Sequence, residues 1–282
     1  MGTKEPDVAP GRAGDVAVLG QESPLGAEVC RMVTASGYRL RPAGSETSAL
    51  IIASELAVPA GPLVSRLRRR RAARRCRQLV SAAHLARDRG AVRLVGLSSA
   101  FLFGRHTALA SDRSWTWAAP AETADALAVE AAAETFTELG GASVVLRLGW
   151  TYGRADRVTR RILAAGARGW QLLDGPPGIR VPTVEISDAA AAAVAALSAP
   201  TGLYYVTDGH PRTQGELTGT IQAGLGRQLH PLADARWGHG PLFGHHRRVD
   251  GSEFRLVTDW RPRYPDAADR LGQLCRAPEN QP

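Results

Sequence analysis

Lysine is nearly missing from this chain of 282 residues. Lys4 is the only one, although lysine and arginine together number 35, so the formal net charge of +8 is an arginine charge. With its excess of alanine and glycine, the chain shows the bias of a GC-rich genome. The most basic segment, residues 65–77 (SRLRRRRAARRCR), has no interleaved aromatic residues that could stack on bases. We therefore expect no nucleic-acid partner; the segment is a solvated helix face or a patch that steers an anionic ligand.

Cysteine is scarce as well, and long apolar runs are absent. Cys30, Cys76 and Cys275 lie far apart without the spacing of metal ligands, and no paired cysteine or carboxylate accompanies the histidines of residues 239–246. No apolar run is long enough to cross a bilayer, and the first residues lack the apolar segment of a secretory signal. The sequence predicts a cytoplasmic protein without disulfides, metal or membrane partner.

Apolar runs alternate with helical patterns through the first half of the chain. This alternation is typical of an α/β fold with a parallel sheet buried on both faces, here a Rossmann-like, doubly wound sheet. We expect a flexible start (1–14), an NADP-binding core (15–153), and a region with the remaining sheet elements and the substrate site (154–282), including a flap around 234–251. The predicted core strands are 15–20, 38–44, 48–54, 92–99 and 143–150, and the predicted core helices are 25–36, 63–89 and 123–139.

The stretch GQESPLG (20–26) joins the first strand to the first helix, where a dinucleotide-binding unit places its phosphate. Gly20 permits the turn, Gly26 permits close packing of helix on sheet, and Pro24 suits the first helical turn. Ser23 stands where a central glycine would allow the closest approach, and it adds a hydroxyl donor. Together with Leu25 these residues are the expected phosphate-binding turn, although a glycine pair in such a turn also occurs without a ligand.

The end of the second strand indicates which cofactor binds. NAD-binding proteins usually place an acid there for the ribose 2′-hydroxyl, whereas this chain has Arg39 and Arg41 and no acid before Glu46. Guanidinium groups suit a 2′-phosphate through paired, charge-assisted hydrogen bonds. The sequence therefore predicts NADP(H), with a solvated arginine pair as the alternative.

Five ordered blocks over nearly the whole chain resemble the extended or atypical short-chain dehydrogenases/reductases of the epimerase/dehydratase type. The resemblance implies an NAD(P)-binding enzyme and, from its strand ends, cofactor contacts by Ala53, Ser98 and Leu148. The blocks are CRQLVSAAHLARDRGAVRLVGLSSAFLFG (76–104), VVLRLGWTYG (144–153), VPTVEISDAA (181–190), YYVTDGHPRTQGEL (204–217) and DWRPRY (259–264).

The family's catalytic Tyr-x-x-x-Lys motif is absent from this chain. Lys4 is the only lysine, and no tyrosine lies between Tyr38 and Tyr152. Alignment of the helix before the fifth strand puts Ala126 at the tyrosine and Glu130 at the lysine. In the family the lysine lowers the pKa of the tyrosine so that the phenol can exchange a proton with the substrate. The negative charge of Glu130 would oppose a phenolate.

Three functions are compatible with this loss. The first is an NADPH-dependent ketoreductase acting on an aromatic polyketide of angucyclinone type, because a phenol beside the ketone can supply the proton. Ser99, the remaining residue of the family's triad, would then position a substrate oxygen. The second is a non-catalytic module that senses NADP or binds a partner. The third, a lyase or isomerase with transient redox chemistry, is disfavoured because such enzymes depend on the tyrosine.

Aromatic residues are candidates for a flat substrate pocket. Phe101 and Phe103 follow Ser99, and Trp150 replaces an asparagine of the family beside the expected nicotinamide. Trp237 lies in the expected flap. Core packing explains any single one of these aromatic residues equally well. His106, in a loop after the fourth strand, is a candidate proton donor or relay, or a solvated histidine.

Overall fold

The computed structural model describes residues 14–53, 62–102, 109–110, 123–173, 176–231 and 248–276. The helices are α1 (Pro24–Ala35), α2 (Pro62–Asp88), α3 (Ala124–Glu138), α4 (Arg157–Gly166), α5 (Ile186–Ala195), α6 (Gln214–Leu225), α7 (Ser252–Val257) and α8 (Ala267–Arg276). The strands are β1 (Asp15–Leu19), β2 (Arg39–Arg41), β3 (Ala49–Ile52), β4 (Arg93–Ser99), β5 (Leu109–Ala110), β6 (Ala142–Leu148), β7 (Trp150–Tyr152), β8 (Trp170–Gln171), β9 (Arg180–Val181), β10 (Thr183–Glu185), β11 (Gly202–Val206), β12 (Arg212–Thr213), β13 (His230–Pro231) and β14 (Arg248–Val249).

Six parallel strands form the main sheet in the order β2–β1–β3–β4–β6–β11. The chain begins near one side with β1, adds β2 at the edge, and then continues in the other direction from β3. The strand order therefore reverses between β1 and β3, and open α/β sheets bind ligands beyond the carboxyl ends of the strands at such a reversal. The predicted Rossmann-like, doubly wound sheet is confirmed.

Helices cover both faces of this sheet, as the continuous apolar strands predict. On one face, Val29 of α1 and Ala189 of α5 pack against the sheet. On the other face, Leu79 of α2 and Phe136 of α3 do the same. Complete burial of a side chain such as Val29 or Phe136 contributes about 1.5–3 kcal/mol. The packing of these two apolar layers holds the strands in place, and so determines where the residues at the strand ends lie.

A further apolar cluster lies mostly among the elements after β6. Short strand pairs (β7–β10, β9–β12 and β8–β13) border it, and helices α4, α6 and α8 pack beside them. The cluster includes Phe101 and Trp150 together with Leu217 and Ile221 of α6. The chain beyond residue 153 thus supplies both the sixth strand of the main sheet and a separate layer beside its carboxyl edge.

The expected flap and the expected flexible start fall largely outside the described residues. Residues 232–247 of the expected flap and residues 1–13 of the expected flexible start lie outside the described residues. Strand β14, within the expected flap, pairs in parallel with β5. The three cysteines are free thiols. Among the described helices, none combines the length and the hydropathy that crossing a bilayer requires.

Candidate functional site

The first turn of the fold closes tightly against β3. Gly20 has a φ of +87°, and a Cβ at this position would lie 2.4 Å from the carbonyl oxygen of Ala53. A Cβ on Gly26 would lie 1.9 Å from the carbonyl oxygen of Gly20. Both positions therefore need glycine, and the N-terminus of α1 is brought directly onto the strand end. The geometry explains why the turn has glycine at both positions, and their contact with a cofactor stays a prediction.

Ser23 is the N-cap of α1. Its Oγ accepts a 3.0 Å hydrogen bond from the Gly26 N–H and donates a 2.7 Å bond to the Gly20 carbonyl. Pro24 follows as the first helical residue, where no N–H is needed. The hydroxyl proton that the sequence assigns to a phosphate is therefore directed into the turn itself. In this structure Ser23 holds the glycine turn closed, and Leu25 is buried behind it.

Arg39 and Arg41 both pair with Asp15. The Arg39 Nε lies 2.7 Å from Asp15 Oδ1, and the Arg41 Nε lies 3.1 Å from Oδ2. The hydrogen bond from Arg39 lowers the pKa of the Asp15 carboxyl. Asp15 is the first residue of β1, whereas Gly20 lies just after its last residue. The two guanidinium groups that pair with Asp15 therefore lie at the amino end of the strand, about 16 Å from the glycine turn. Binding a 2′-phosphate would require a guanidinium to leave Asp15.

The helix position aligned with the family's lysine carries a buried ion pair. Arg147 of β6, which is 2% exposed, donates from Nε and Nη2 to the two carboxylate oxygens of Glu130, at 2.8 Å each. The Ser98 hydroxyl donates a 2.6 Å bond to Glu130 Oε1, and Arg147 Nη1 lies 3.3 Å from the Tyr205 hydroxyl. Ser98, Arg147 and Tyr205 are register neighbours across β4, β6 and β11. Glu130 therefore neutralises a buried guanidinium.

Ala126 lies one helical turn closer to the carboxyl edge than Glu130. Helix α3 connects the parallel strands β4 and β6, so it runs antiparallel to them and its N-terminus points to the carboxyl edge. Ala126 is 4% exposed and offers no group that could exchange a proton. Neither aligned position can therefore do the chemistry of the tyrosine or of the lysine.

The other expected contacts end the central strands. Ser99 ends β4 opposite Leu148, which ends β6, and the Ser99 Oγ accepts a 3.1 Å bond from the Phe101 N–H. Ala53 follows β3 and donates its N–H to Leu19. The Ser98 side chain points to the opposite face of the sheet from that of Ser99, and its hydroxyl donates to Glu130. Ala53, Ser99 and Leu148 thus lie at the carboxyl edge of the main sheet, where Gly20 begins the turn after β1.

The expected substrate-pocket aromatics are only partly described. Phe101 and Trp150 are each 1% exposed and belong to the apolar cluster beside the carboxyl edge. The ring centroids of Trp150 and Tyr152 lie 6.1 Å apart, and the backbone N–H of Trp150 donates to the Pro182 carbonyl. Both side chains pack as core residues here. Phe103, His106 and Trp237 lie outside the described residues.

A buried carboxyl group beyond the end of β11 was not singled out from the sequence. Asp208 is 3% exposed, accepts a hydrogen bond from the Thr183 hydroxyl, and accepts a 3.1 Å bond from the His210 N–H. Burial raises the pKa of Asp208 to about 7. Burial also raises the pKa of the neighbouring Tyr152. The available signal was the position of Asp208 directly after an apolar strand, where parallel sheets place functional groups.

No family model matches the sequence, and no curated protein matches it. Solved structures do match over 93–94% of this chain and 97–100% of their own. A human epimerase-family protein with NADPH is 17% identical, with a TM-score of 0.78. MoeE5 in complex with UDP-glucose and NAD is 15% identical at 0.77, and a UDP-glucose 4-epimerase from Thermotoga maritima with UDP-glucose is 13% identical at 0.75.

The chain has the epimerase-type Rossmann fold. At these identities the likeness establishes the fold alone, and what those proteins bind is a property of their own residues. The described residues include a glycine turn after β1 and a serine at the end of β4, and an ion pair lies at the position that the sequence resemblance assigns to a lysine. In the described part of the chain, His, Cys, Asp and Glu side chains form no group of three that could hold a metal ion.

Proposed function

We propose that this protein is an NADPH-dependent ketoreductase that reduces a carbonyl group of an aromatic polyketide of angucyclinone type. The observation that carries the proposal is the glycine cradle at the strand reversal. A Cβ on Gly20 or Gly26 would enter the space of the Ala53 and Gly20 carbonyl oxygens, so these glycines let the turn and the start of α1 close tightly on the strand end. Such a turn at a helix N-terminus fits the pyrophosphate of a dinucleotide.

The residues around the cradle would divide the work of binding. The N-terminus of α1, held by Ser23, would face the pyrophosphate, and Ala53 and Leu148 would line the cofactor's path along the strand ends. Arg41 would take the 2′-phosphate more readily than Arg39, because it lies two residues closer to the carboxyl end of β2. When bound, NADPH supplies hydride.

The proton must come from a group other than the absent tyrosine. Glu130 is tied to Arg147, and Ala126 has no titratable group. A phenol of the substrate, ortho or peri to the ketone, can provide the proton as the carbonyl oxygen becomes an alcohol, and the phenolate that remains then takes a proton from water. The Ser99 hydroxyl, at the end of β4, would position that carbonyl oxygen. His106 is a further proton donor in this proposal.

The test is oxidation of NADPH by purified protein in the presence of a hydroxyaryl ketone, with the O-methyl ether of the same ketone as the matched substrate. Consumption of NADPH with the phenol, and at least tenfold slower consumption with the ether, is the expected result. Equal rates would refute proton donation by the substrate. Tight NADPH binding without turnover of either ketone would refute the reductase and favour the alternative, a non-catalytic NADP-sensing or partner-binding module.

That alternative is favoured by one observation, the loss of both halves of the Tyr–Lys pair at the aligned positions. Fluorescence titration with NADPH and with NADH tests whether the protein binds a dinucleotide at all, and so distinguishes a non-catalytic NADP-binding module from a protein that binds neither cofactor. We expect NADPH to bind more tightly than NADH in both cases. Tighter binding of NADH would overturn the assignment of Arg39 and Arg41 to a 2′-phosphate.

A further inference from the structure

Helix α6 presents two polar side chains to the apolar cluster beside the carboxyl edge. Gln214, Leu217, Thr218 and Ile221 share one face of the helix, at spacings of three, four and seven residues. Leu217 and Ile221 belong to the cluster that contains Phe101 and Trp150. Gln214 is 1% exposed and Thr218 is 8% exposed. Both polar groups are therefore buried on the side where the expected substrate aromatics lie.

These polar groups have no hydrogen-bond partner among the residues that the structure describes. Within the described part of the chain, neither the Oε1 nor the Nε2 of Gln214 makes a hydrogen bond, and nor does the Thr218 hydroxyl. A buried amide or hydroxyl without a partner costs about 1–3 kcal/mol, so proteins seldom retain one without a use. Here three unpartnered atoms lie on two adjacent turns of one helix.

The backbone that carries these groups is rigid. Thr213 caps α6 and forms a capping box with Glu216. The Gln214 N–H donates a 2.8 Å bond to Ile179, and the Gly215 N–H donates a 2.8 Å bond to Pro177. The orientation of the helix start is therefore fixed, and with it the direction of the Gln214 Cα–Cβ bond. Fixed polar groups in an apolar wall are what a binding pocket uses to orient a ligand.

We propose that Gln214 and Thr218 bind adjacent hydroxyl and carbonyl oxygens on one edge of a neutral, planar substrate. This inference rests on the proposed function, because it names substrate contacts of the same site. The Gln214 amide offers one donor and one acceptor side by side, which matches a carbonyl next to a hydroxyl. The buried face of α6 carries no charged side chain, so it does not favour a phosphate or a carboxylate.

The test uses 1,8-dihydroxyanthraquinone as the probe, with its dimethyl ether and UDP-glucose as comparison ligands. Binding is followed by quenching of tryptophan fluorescence in the wild type, Gln214→Leu and Thr218→Val. Gln222→Leu, on the same helix but half-buried and bonded to Gln228, is the matched control. We expect Gln214→Leu to weaken probe binding at least about tenfold and Thr218→Val severalfold, and Gln222→Leu to change nothing.

A second measurement separates ligand binding from a structural role. Because the amide has no partner among the described residues, Gln214→Leu should keep or raise the melting temperature of the free protein. A lowered melting temperature with unchanged probe affinity would overturn the inference, as would tighter binding of UDP-glucose than of the probe. NADPH affinity, measured in the same variants, should not change. Since turnover enters none of these readouts, failure of the reductase proposal and failure of this inference give different results.

Discussion

Arg147 of β6 donates two 2.8 Å hydrogen bonds to the carboxylate of Glu130 on α3, from Nε to Oε1 and from Nη2 to Oε2. The guanidinium is almost completely buried, and this carboxylate neutralises its charge. The pair lies at the helix position that the sequence resemblance assigns to a lysine. A lysine there would place two cations together inside the protein. A structural ion pair thus occupies the position that the resemblance assigns to the lysine.

Replacement of Glu130 alone should be strongly destabilising. Glu130→Leu would leave the Arg147 guanidinium buried without its carboxylate, and we expect the free energy of unfolding to fall by about 3 kcal/mol or more. Denaturant unfolding measures the loss. The double variant Glu130→Leu/Arg147→Met should recover most of it, because no buried charge then remains. If the single variant is as stable as the wild type, the pair has no structural role.

The glycine cradle should tolerate no side chain at residue 26. In Gly26→Ala the new Cβ would meet the Gly20 carbonyl at 1.9 Å, so the turn or α1 must shift. We expect at least about 1–3 kcal/mol of lost stability and the loss of NADPH binding in fluorescence titration. Gly219→Ala is the matched control, because a Cβ at this exposed helical position meets nothing within 4 Å. That variant should gain up to about 1 kcal/mol and bind NADPH normally.

Asp15 should compete with the cofactor for Arg39 and Arg41. If those guanidinium groups bind a 2′-phosphate, Asp15→Asn removes their competing partner and should tighten NADPH binding about two- to fivefold, with NADH unchanged. Parallel titrations with both dinucleotides measure the ratio. A ratio that does not move would identify the arginines as solvent-exposed partners of Asp15 without a role in binding.

Tyr152 should not need its hydroxyl. The side chain is fully buried, and the hydroxyl makes no hydrogen bond to any residue that the structure describes. Tyr152→Phe should therefore leave the free energy of unfolding unchanged or raise it by about 1 kcal/mol, since it removes a desolvated polar group. The matched control is Tyr204→Phe, which loses a 3.0 Å bond to the Pro200 carbonyl and should cost about 1 kcal/mol. A marked loss in Tyr152→Phe would show that this hydroxyl has a partner in solution.

Asp208 should make stability fall with rising pH. Burial raises its folded-state pKa from the ordinary 3.8 to about 7, so the folded protein holds a proton that the unfolded chain releases. The stability that this proton provides is complete below about pH 4, declines toward pH 7, and is absent above it. The difference can reach no more than about 4 kcal/mol.

The measurement is the pH dependence of unfolding in the wild type and in Asp208→Asn. Burial also raises the pKa of Glu185 and Asp188, whereas hydrogen bonds lower that of Asp15 and Asp266, so the whole-protein profile mixes both signs. Subtracting the Asp208→Asn profile isolates the contribution of Asp208. The difference curve should decrease between about pH 4 and pH 7, and a flat curve would contradict the buried carboxyl.

The sequence by itself determined the sheet and the turn. Strand and helix patterns are local and periodic, so the predicted core elements agree with the structure to within one or two residues at most ends. Gly20 and Gly26 are also local signals, because the turn lies within a few residues of chain. The absence of a lysine beyond Lys4 is a matter of composition and needed no structure at all.

Only the tertiary structure decided which charges meet. Arg147 is 17 residues from Glu130, Asp15 is 24 from Arg39, and Asp208 is 25 from Thr183. Such partners depend on strand register and helix direction, which no local pattern specifies. The burial of the Gln214 amide, without a partner among the described residues, also could not be predicted from local sequence. Burial of a side chain depends on the elements that pack around it. Periodicity determines which face of a segment is apolar, whereas packing determines what that face meets.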